Sequence, residues 1–288
     1  MTRSYLERLG ARTRATGTVL CLGLDPDPDA LPDGFSHDLA GVERFAALLL
    51  DAAAPVAAAV KPNLAFFEAF GSAGLAALER LRATIPPDIP VIADAKRGDI
   101  GSTAARQAVA LFDVLGADAV TVNPYLGAEA IAPLLERPDR FAYVLCRTSN
   151  PGAGEIQDLG LVADEAAGAR PERVHERIAR LASGWGPGGT VGLVVGATAP
   201  EELATIRAIV PGLPFLVPGV GAQGGAIEPV LRHGPAAADP GSAGTGGGLL
   251  VNVSRAIASA ATQAGPGDPG DRVAAAAADW AARLPVLG

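Results

Sequence analysis

The chain has 288 residues and a formal net charge of −8, with an isoelectric point near 4.9, a balance that argues against a nucleic-acid footprint, which would need a basic face. An acidic protein can still hold an anion at a local site. The composition is 49% hydrophobic, yet the most apolar window, 45–60, is interrupted by Asp51 and Pro55, so no run reaches the roughly 18 residues of a membrane helix.

Charges throughout 1–17 leave no apolar signal core, and the expectation is a cytoplasmic protein. Cys21 and Cys146 both fall in predicted strands and read as reduced core thiols. His37, His175 and His233 are scattered without metal-ligand spacing, so no metal is expected.

Taken in order, apolar periodicity and turn residues predict alternating strands and helices. An amphipathic helix over 4–15 precedes a first strand over 18–24, stopped by Asp25-Pro26-Asp27-Pro28. A helix over 42–54 leads to a second strand over 56–60 that ends at Lys61. A helix over 73–83 leads to the stretch PVIADAKRGDIGST (90–103), whose apolar start reads as a buried third strand. Next come a helix over 102–115 and a fourth strand over 117–122, which ends in Asn123-Pro124-Tyr125. A helix over 128–135 and a fifth strand over 141–146 follow, then a helix over 172–183 and a sixth strand over 190–195. The last units are a helix over 200–209, a strand over 214–217, a helix over 226–231, a strand over 249–253 and a closing helix over 272–283. Trp185 and Trp280 read as helix-packing aromatics.

Eight strand–helix units in about 250 residues is the arithmetic of a single (β/α)8 TIM barrel, an α/β fold occupying 1–288 as one domain. A doubly wound open sheet usually has fewer strands and a glycine-rich turn after the first, where this chain has Asp-Pro-Asp-Pro. Two segments stand outside the repeat. The long, mixed 150–170 follows the fifth strand at the barrel mouth, where such loops are lids or binding loops. The low-complexity 235–248 (PAAADPGSAGTGGG) precedes the eighth strand, on the opposite face, and reads as a flexible surface insertion without a catalytic role.

Barrels keep their chemistry at strand C-termini, and charged or glycine-rich groups gather there. Asp25 follows the first strand and Lys61 the second. Asp94, Lys96 and Asp99 follow the third. In an extended strand Asp94 and Lys96 project from the same face while Arg97 points away. Such charges do little for a core, so they read as functional. After the fifth strand comes Arg147-Thr148-Ser149-Asn150-Pro151-Gly152, and after the seventh PGVGAQGG (218–225), containing Gly221, Gln223 and Gly224. The eighth ends in Asn252-Val253-Ser254-Arg255. Loops seven and eight are the usual phosphate loops of barrels. Glycines admit backbone N–H groups to the anion, and Arg255 can bind it bidentately. Asn63, Asn123 and Tyr125 near the mouth are as readily orienting or packing residues.

The stretches CLGLDPDP (21–28), VKPN (60–63), DAKRGDIGST (94–103), TSNPGAG (148–154) and PGVGAQGG, with the arginine after the eighth strand, resemble the orotidine 5'-phosphate decarboxylase family in its longer, second subfamily. They occur after six of the eight strands and in the family's order. The resemblance implies decarboxylation of orotidine 5'-phosphate to UMP, the last step of de novo pyrimidine nucleotide synthesis, with no metal or organic cofactor. It implies a homodimer in which the loop carrying Asp99, with Ile100 and Thr103, enters the neighbour's site. It makes Lys96 the proton donor, places Asp94 near the substrate carboxylate, and has Lys61 and Asp99 complete a charged array that also contacts the ribose hydroxyls. It further implies that Asp25 binds ribose, Ser149 recognises the pyrimidine, Gln223 reaches between phosphate and base, and Arg255 binds phosphate. Ser254 stands where many relatives carry glycine.

The charges support that chemistry independently. Loss of CO2 from C6 of a pyrimidine leaves negative charge on a carbon with no adjacent carbonyl. A fixed ammonium stabilises that charge and then supplies the proton. Two other readings share the pattern. Magnesium-dependent sugar-phosphate decarboxylases and aldolases of the same barrel group carry an acidic residue where this chain has Lys61, which would repel a dication. A catalytically silent nucleotide-binding barrel would have no need of all four array residues.

Overall fold

The computed structural model describes residues 3–162, 171–236, 245–263 and 267–287. Eight parallel strands form the barrel: β1 Leu20–Leu24, β2 Ala59–Pro62, β3 Ile92–Arg97, β4 Ala119–Val122, β5 Phe141–Arg147, β6 Val191–Val195, β7 Phe215–Val217 and β8 Leu250–Val253. Their lateral order is β2-β1-β8-β7-β6-β5-β4-β3. Parallel bridges Val60↔Val91 and Asn63↔Asp94 close β2 against β3. Besides the single turns Ala65–Glu68, Gly154–Gln157 and Arg255–Ala258, the helices among the described residues are α1 Tyr5–Thr16, α2 Leu39–Ala53, α3 Gly71–Thr84, α4 Gly101–Ala108, α5 Ala132–Leu135, α6 Val174–Ala182, α7 Pro200–Ile209, α8 Ile227–His233 and α9 Pro269–Arg283. The TIM barrel expected from the spacing of apolar segments is present.

Strand alternation divides the interior into layers. At the N-terminal end every strand turns at least one apolar side chain inward: Cys21, Ala59, Ile92, Ala119, Phe141 and Tyr143, Val194, Leu216 and Leu250. Helix α1 plugs that end. Its start is fixed by a reciprocal capping box between Ser4 and Glu7, and its end by Gly17 at φ 70°. The Tyr5 ring stacks on Phe141 at 4.9 Å between ring centroids, and its hydroxyl lies 3.1 Å from that of Tyr143. Two residues further along β1, β2, β3, β4 and β8 the inward positions are Gly23, Lys61, Asp94, Thr121 and Asn252. The apolar floor therefore carries a polar storey on the side where active sites of barrels lie.

Local differences from the sequence expectations have identifiable causes. The second strand begins at Ala59 rather than 56, because Pro55 sits in a 3-10 turn, Ala54–Val56, that runs on from α2. Glu172 and Arg173 do not open a helix. They pair antiparallel with Gly160 and Leu161 in a two-residue ribbon, and α6 starts at Val174. The helix expected over 102–115 is α4 continued by a π-helical stretch, Val109–Val114. Cys21 and Cys146 are free and buried, and burial pushes the Cys21 thiol up to about 12. Trp280 is buried, and Trp185 packs partly buried against the core. Among the described residues no helix is long and apolar enough to cross a membrane.

Part of the expected lid, 163–170, and of the expected insertion, 237–244, lies outside the described residues. The far end of the insertion, Thr245–Gly248, rests on α1, with Arg14 donating to Thr245 Oγ1 at 2.9 Å. It therefore meets the barrel at the plugged end, away from the polar storey.

Candidate active site

Strand β3 does not stay regular to its end. Its register with β4 runs Ile92↔Ala119 and Ala93↔Val120, then shifts to Arg97↔Val122. Within this bulge Lys96 adopts φ 47°, the only non-glycine residue with positive φ among those described. A lysine gains nothing locally from the left-handed region, so its surroundings must hold it there. Thr121 of β4 does so. Its hydroxyl oxygen accepts the N–H groups of Ala95 at 3.0 Å and Lys96 at 2.9 Å, and its proton goes to Asp94 Oδ1 at 2.9 Å. The bulge re-aims the lysine, and its ammonium still meets Asp94, on the face that simple alternation predicted for both. Arg97, expected to face away, pairs with Glu68 outside the barrel.

Asp94 is the centre of the charge array. Oδ2 accepts from Lys61 Nζ at 2.5 Å and Oδ1 from Lys96 Nζ at 2.6 Å. Side-chain exposure rises along this chain, from 5% at Lys61 through 12% at Asp94 to 50% at Lys96. A buried ammonium thus anchors a nearly buried carboxylate, and that carboxylate positions an ammonium at the mouth. Burial by itself pushes the Lys61 ammonium down, but Asp94 and Asp25 outweigh it, and its pKa is raised. Burial likewise pushes Asp94 up, but Lys61 and Lys96 outweigh it and hold the carboxyl well below the usual range.

Lys61 and Asp94 line a cavity of about 170 Å³, and Lys96 reaches it only through its contact with Asp94. Asp25, Asn63, Gln223, Asn252, Ser254 and Arg255 line the same cavity. A larger groove of about 590 Å³ lies on the flank between α5 and Trp185, but Glu129 and Glu136 are its only charged lining groups. The smaller cavity instead gathers charged groups of both signs, Asp25, Lys61, Asp94 and Arg255. Asp25 Oδ1 is buried there with no hydrogen-bond partner.

The loop after β7 brings Ser149 and Gln223 together through Gly219. With φ 97°, a Cβ at Gly219 would lie 2.9 Å from both Ser149 Cβ and Gln223 Oε1, so only glycine allows this approach. The Gly224 N–H donates to Gly221 O at 2.9 Å, so that amide is engaged inside the turn. Gly221, at φ 82°, packs on Trp280. Arg255 opens a single helical turn, Arg255–Ala258, and is exposed at the mouth.

The segment bearing Ser149 is fixed at its base. Arg147 grips both oxygens of Asp158 at 3.0 Å. Gln157 accepts the Thr148 N–H and donates to its hydroxyl, both at 2.8 Å. Buried His175 of α6 contacts Gln157 O at 2.8 Å and Asp158 Oδ1 at 3.3 Å.

Asp99, Ile100 and Thr103 stand apart. None lines the cavity. The Asp99 carboxylate accepts the Ile100 N–H at 2.7 Å, and its own N–H donates to Ala130 O at 3.1 Å. Around them the rim is apolar and open, with Ile100 60%, Tyr125 82% and Leu126 51% exposed. Sequence reasoning missed Thr121 and the Gln157–Asp158 anchor and gave Asn252 no role. The signal for Thr121 and Asn252 was available. Each falls two residues beyond an inward apolar residue, Ala119 or Leu250, on a strand of period two.

The family model described as "Orotidine 5'-phosphate decarboxylase / HUMPS family" matches residues 18–265. A curated relative from Herpetosiphon aurantiacus named orotidine 5'-phosphate decarboxylase is 45% identical over 88% of this chain and 88% of its own length. One of the same name from Thermomicrobium roseum is 47% identical over 88% of this chain and 86% of its own. Among solved structures, Leishmania donovani OMP decarboxylase superposes with a TM-score of 0.79 at 38% identity, covering 97% of each chain.

Proposed function

The chain belongs to the orotidine 5'-phosphate decarboxylase / HUMPS family, and on that premise we propose that it converts orotidine 5'-phosphate to UMP and CO2, the last step of de novo pyrimidine nucleotide synthesis. The observation that carries this reading is the Lys61–Asp94–Lys96 array, whose Lys61 and Asp94 share one cavity with Gln223 and Arg255. Arg255 and the β7 loop hold the phosphate, Gln223 spans from phosphate to base, and Ser149 meets the pyrimidine. Asp25 and Lys61 take the ribose, and C6 lies against Lys96. As the C6–CO2 bond breaks, its electron pair stays on C6 beside the Lys96 ammonium, which then protonates that carbon. Asp94 keeps Lys96 in place and adds negative charge near the departing carboxylate.

The array is completed by Asp99, with Ile100 and Thr103, from a second copy of the chain. The open apolar rim at Ile100, Tyr125 and Leu126 supports a homodimer that covers it. The setting is cytoplasmic.

The family also contains sugar-phosphate enzymes that use a magnesium ion. Buried Lys61, ion-paired to Asp94 where those enzymes carry an acid, disfavours a dication at this position. Turnover of orotidine 5'-phosphate with and without a chelator tests the proposal. The expected result is UMP formation at the same rate in both. Chelator-sensitive turnover, or nucleotide binding without turnover, would overturn it.

A further inference from the structure

The polar storey contains one side chain for which the charge array has no use. Asn252, on β8, projects inward beside β1, in register with Cys21. Its Oδ1 is buried and has no hydrogen-bond partner. Its place depends on an absence in the neighbouring strand, because a Cβ on Gly23 would lie 3.0 Å from Asn252 Oδ1 and 2.7 Å from Ser254 Cβ. Glycine on β1 thus makes the recess that the carboxamide fills. A buried amide oxygen without a donor is costly, and a strand interior offers cheaper residues for packing alone.

The groups around this oxygen complete the pattern. Asp25, two residues above Gly23 on β1, has a buried and unpartnered Oδ1 in the same cavity. Lys61 donates one of its three N–H bonds, to Asp94, and also lines this cavity. Two acceptors without donors therefore stand near an ammonium with donors to give. Hydroxyls suit this arrangement, since each accepts from the ammonium and donates to an oxygen. Two acceptors call for two hydroxyls, as on the vicinal diol of a ribonucleotide.

We propose that Asn252 is a sugar-positioning residue, its carboxamide oxygen accepting one hydroxyl of the ribose while Asp25 accepts the other. This rests on the nucleotide reading of the cavity. Being uncharged, Asn252 can sit close to Asp25 and Asp94 without the repulsion that a third carboxylate would add.

Turnover of orotidine 5'-phosphate and of its 2'-deoxy and 3'-deoxy analogues tests the assignment in the wild type, Asn252→Ala and Asn252→Leu, the last filling the recess without an acceptor. The wild type is expected to disfavour both analogues by at least about tenfold in kcat/KM. In both variants the penalty for one analogue should shrink to within about twofold, while the other persists through Asp25. A purely structural role would lower kcat/KM for all three substrates by a common factor and overturn the assignment. So would a wild type indifferent to either hydroxyl, a result that holds whether or not the variants fold. A wild type that does not decarboxylate the ribonucleotide at all contradicts the proposed function itself, and this assignment with it.

Discussion

Lys96 combines three unusual properties: a left-handed backbone, a half-exposed ammonium and a 2.6 Å contact to a carboxylate that also binds a buried lysine. Thr121 links the first to the last, bonding the Lys96 N–H and Asp94 with one hydroxyl. Lys96→Ala should lower kcat by more than the roughly 10²–10⁴ of a lost general acid, because the stabilising charge goes with it. UMP affinity, read by calorimetry, should stay within about tenfold of wild type, since Arg255 and Gln223 are untouched.

The array also sets a pH dependence. Asp94 is held below its ordinary 3.8, so its contribution to stability is present above that value and is lost as pH falls through the depressed one. Lys61 is raised above 10.5, so its contribution is complete below that value and is lost as pH rises through the raised one. Between about pH 5 and 9 both keep their charges. The stability gap between wild type and Asp94→Asn, from denaturant titrations, should be flat across that window and shrink in stronger acid. A gap that widens in acid would contradict the assignment.

At the scale of elements, the segment after β5 is held by the Arg147 grip on Asp158 and the double contact between Gln157 and Thr148. Ser149 lies between these anchors and Gly219, so its placement depends on them. Asp158→Ala should lower kcat/KM by about ten- to a hundredfold through misplacement of the segment, with the thermal midpoint falling by only a few degrees. A kcat/KM within about twofold of wild type would mean that Ser149 is placed by the β7 loop alone.

These anchors were not legible beforehand, because Asp158 and Gln157 lie in a mixed loop with no period to read. The β3 bulge was hidden for a different reason: Lys96 looks like an ordinary strand residue until Thr121 is seen beside it. The strands themselves were legible, since the apolar runs are long enough to show their period. The start of β2 was misplaced only because Pro55 adds a 3-10 turn after α2. The charged strand ends and the glycine-bearing loops were legible from residue type and position alone.

For the whole molecule, the barrel sets an apolar floor plugged by α1 beneath a polar storey, and the eight strand ends bring that storey to one mouth. Asp99 lies at the rim, where its carboxylate accepts the N–H of exposed Ile100, and the proposed homodimer would bring it into the array of a second copy. The placement of Asp99 was legible in its position beyond β3. Its proposed role in a second copy rests on the resemblance alone, because a subunit contact leaves no mark in the period of a strand.

Subunit complementation tests most directly whether decarboxylation runs on an array assembled from two chains. Lys96→Ala and Asp99→Ala should each be inactive alone. A mixed dimer carries one site with both wild-type residues and one with neither, so equal mixing should restore up to about a quarter of wild-type activity. Absence of any recovery, once subunit exchange is demonstrated, or substantial turnover by Lys96→Ala alone, would contradict the account.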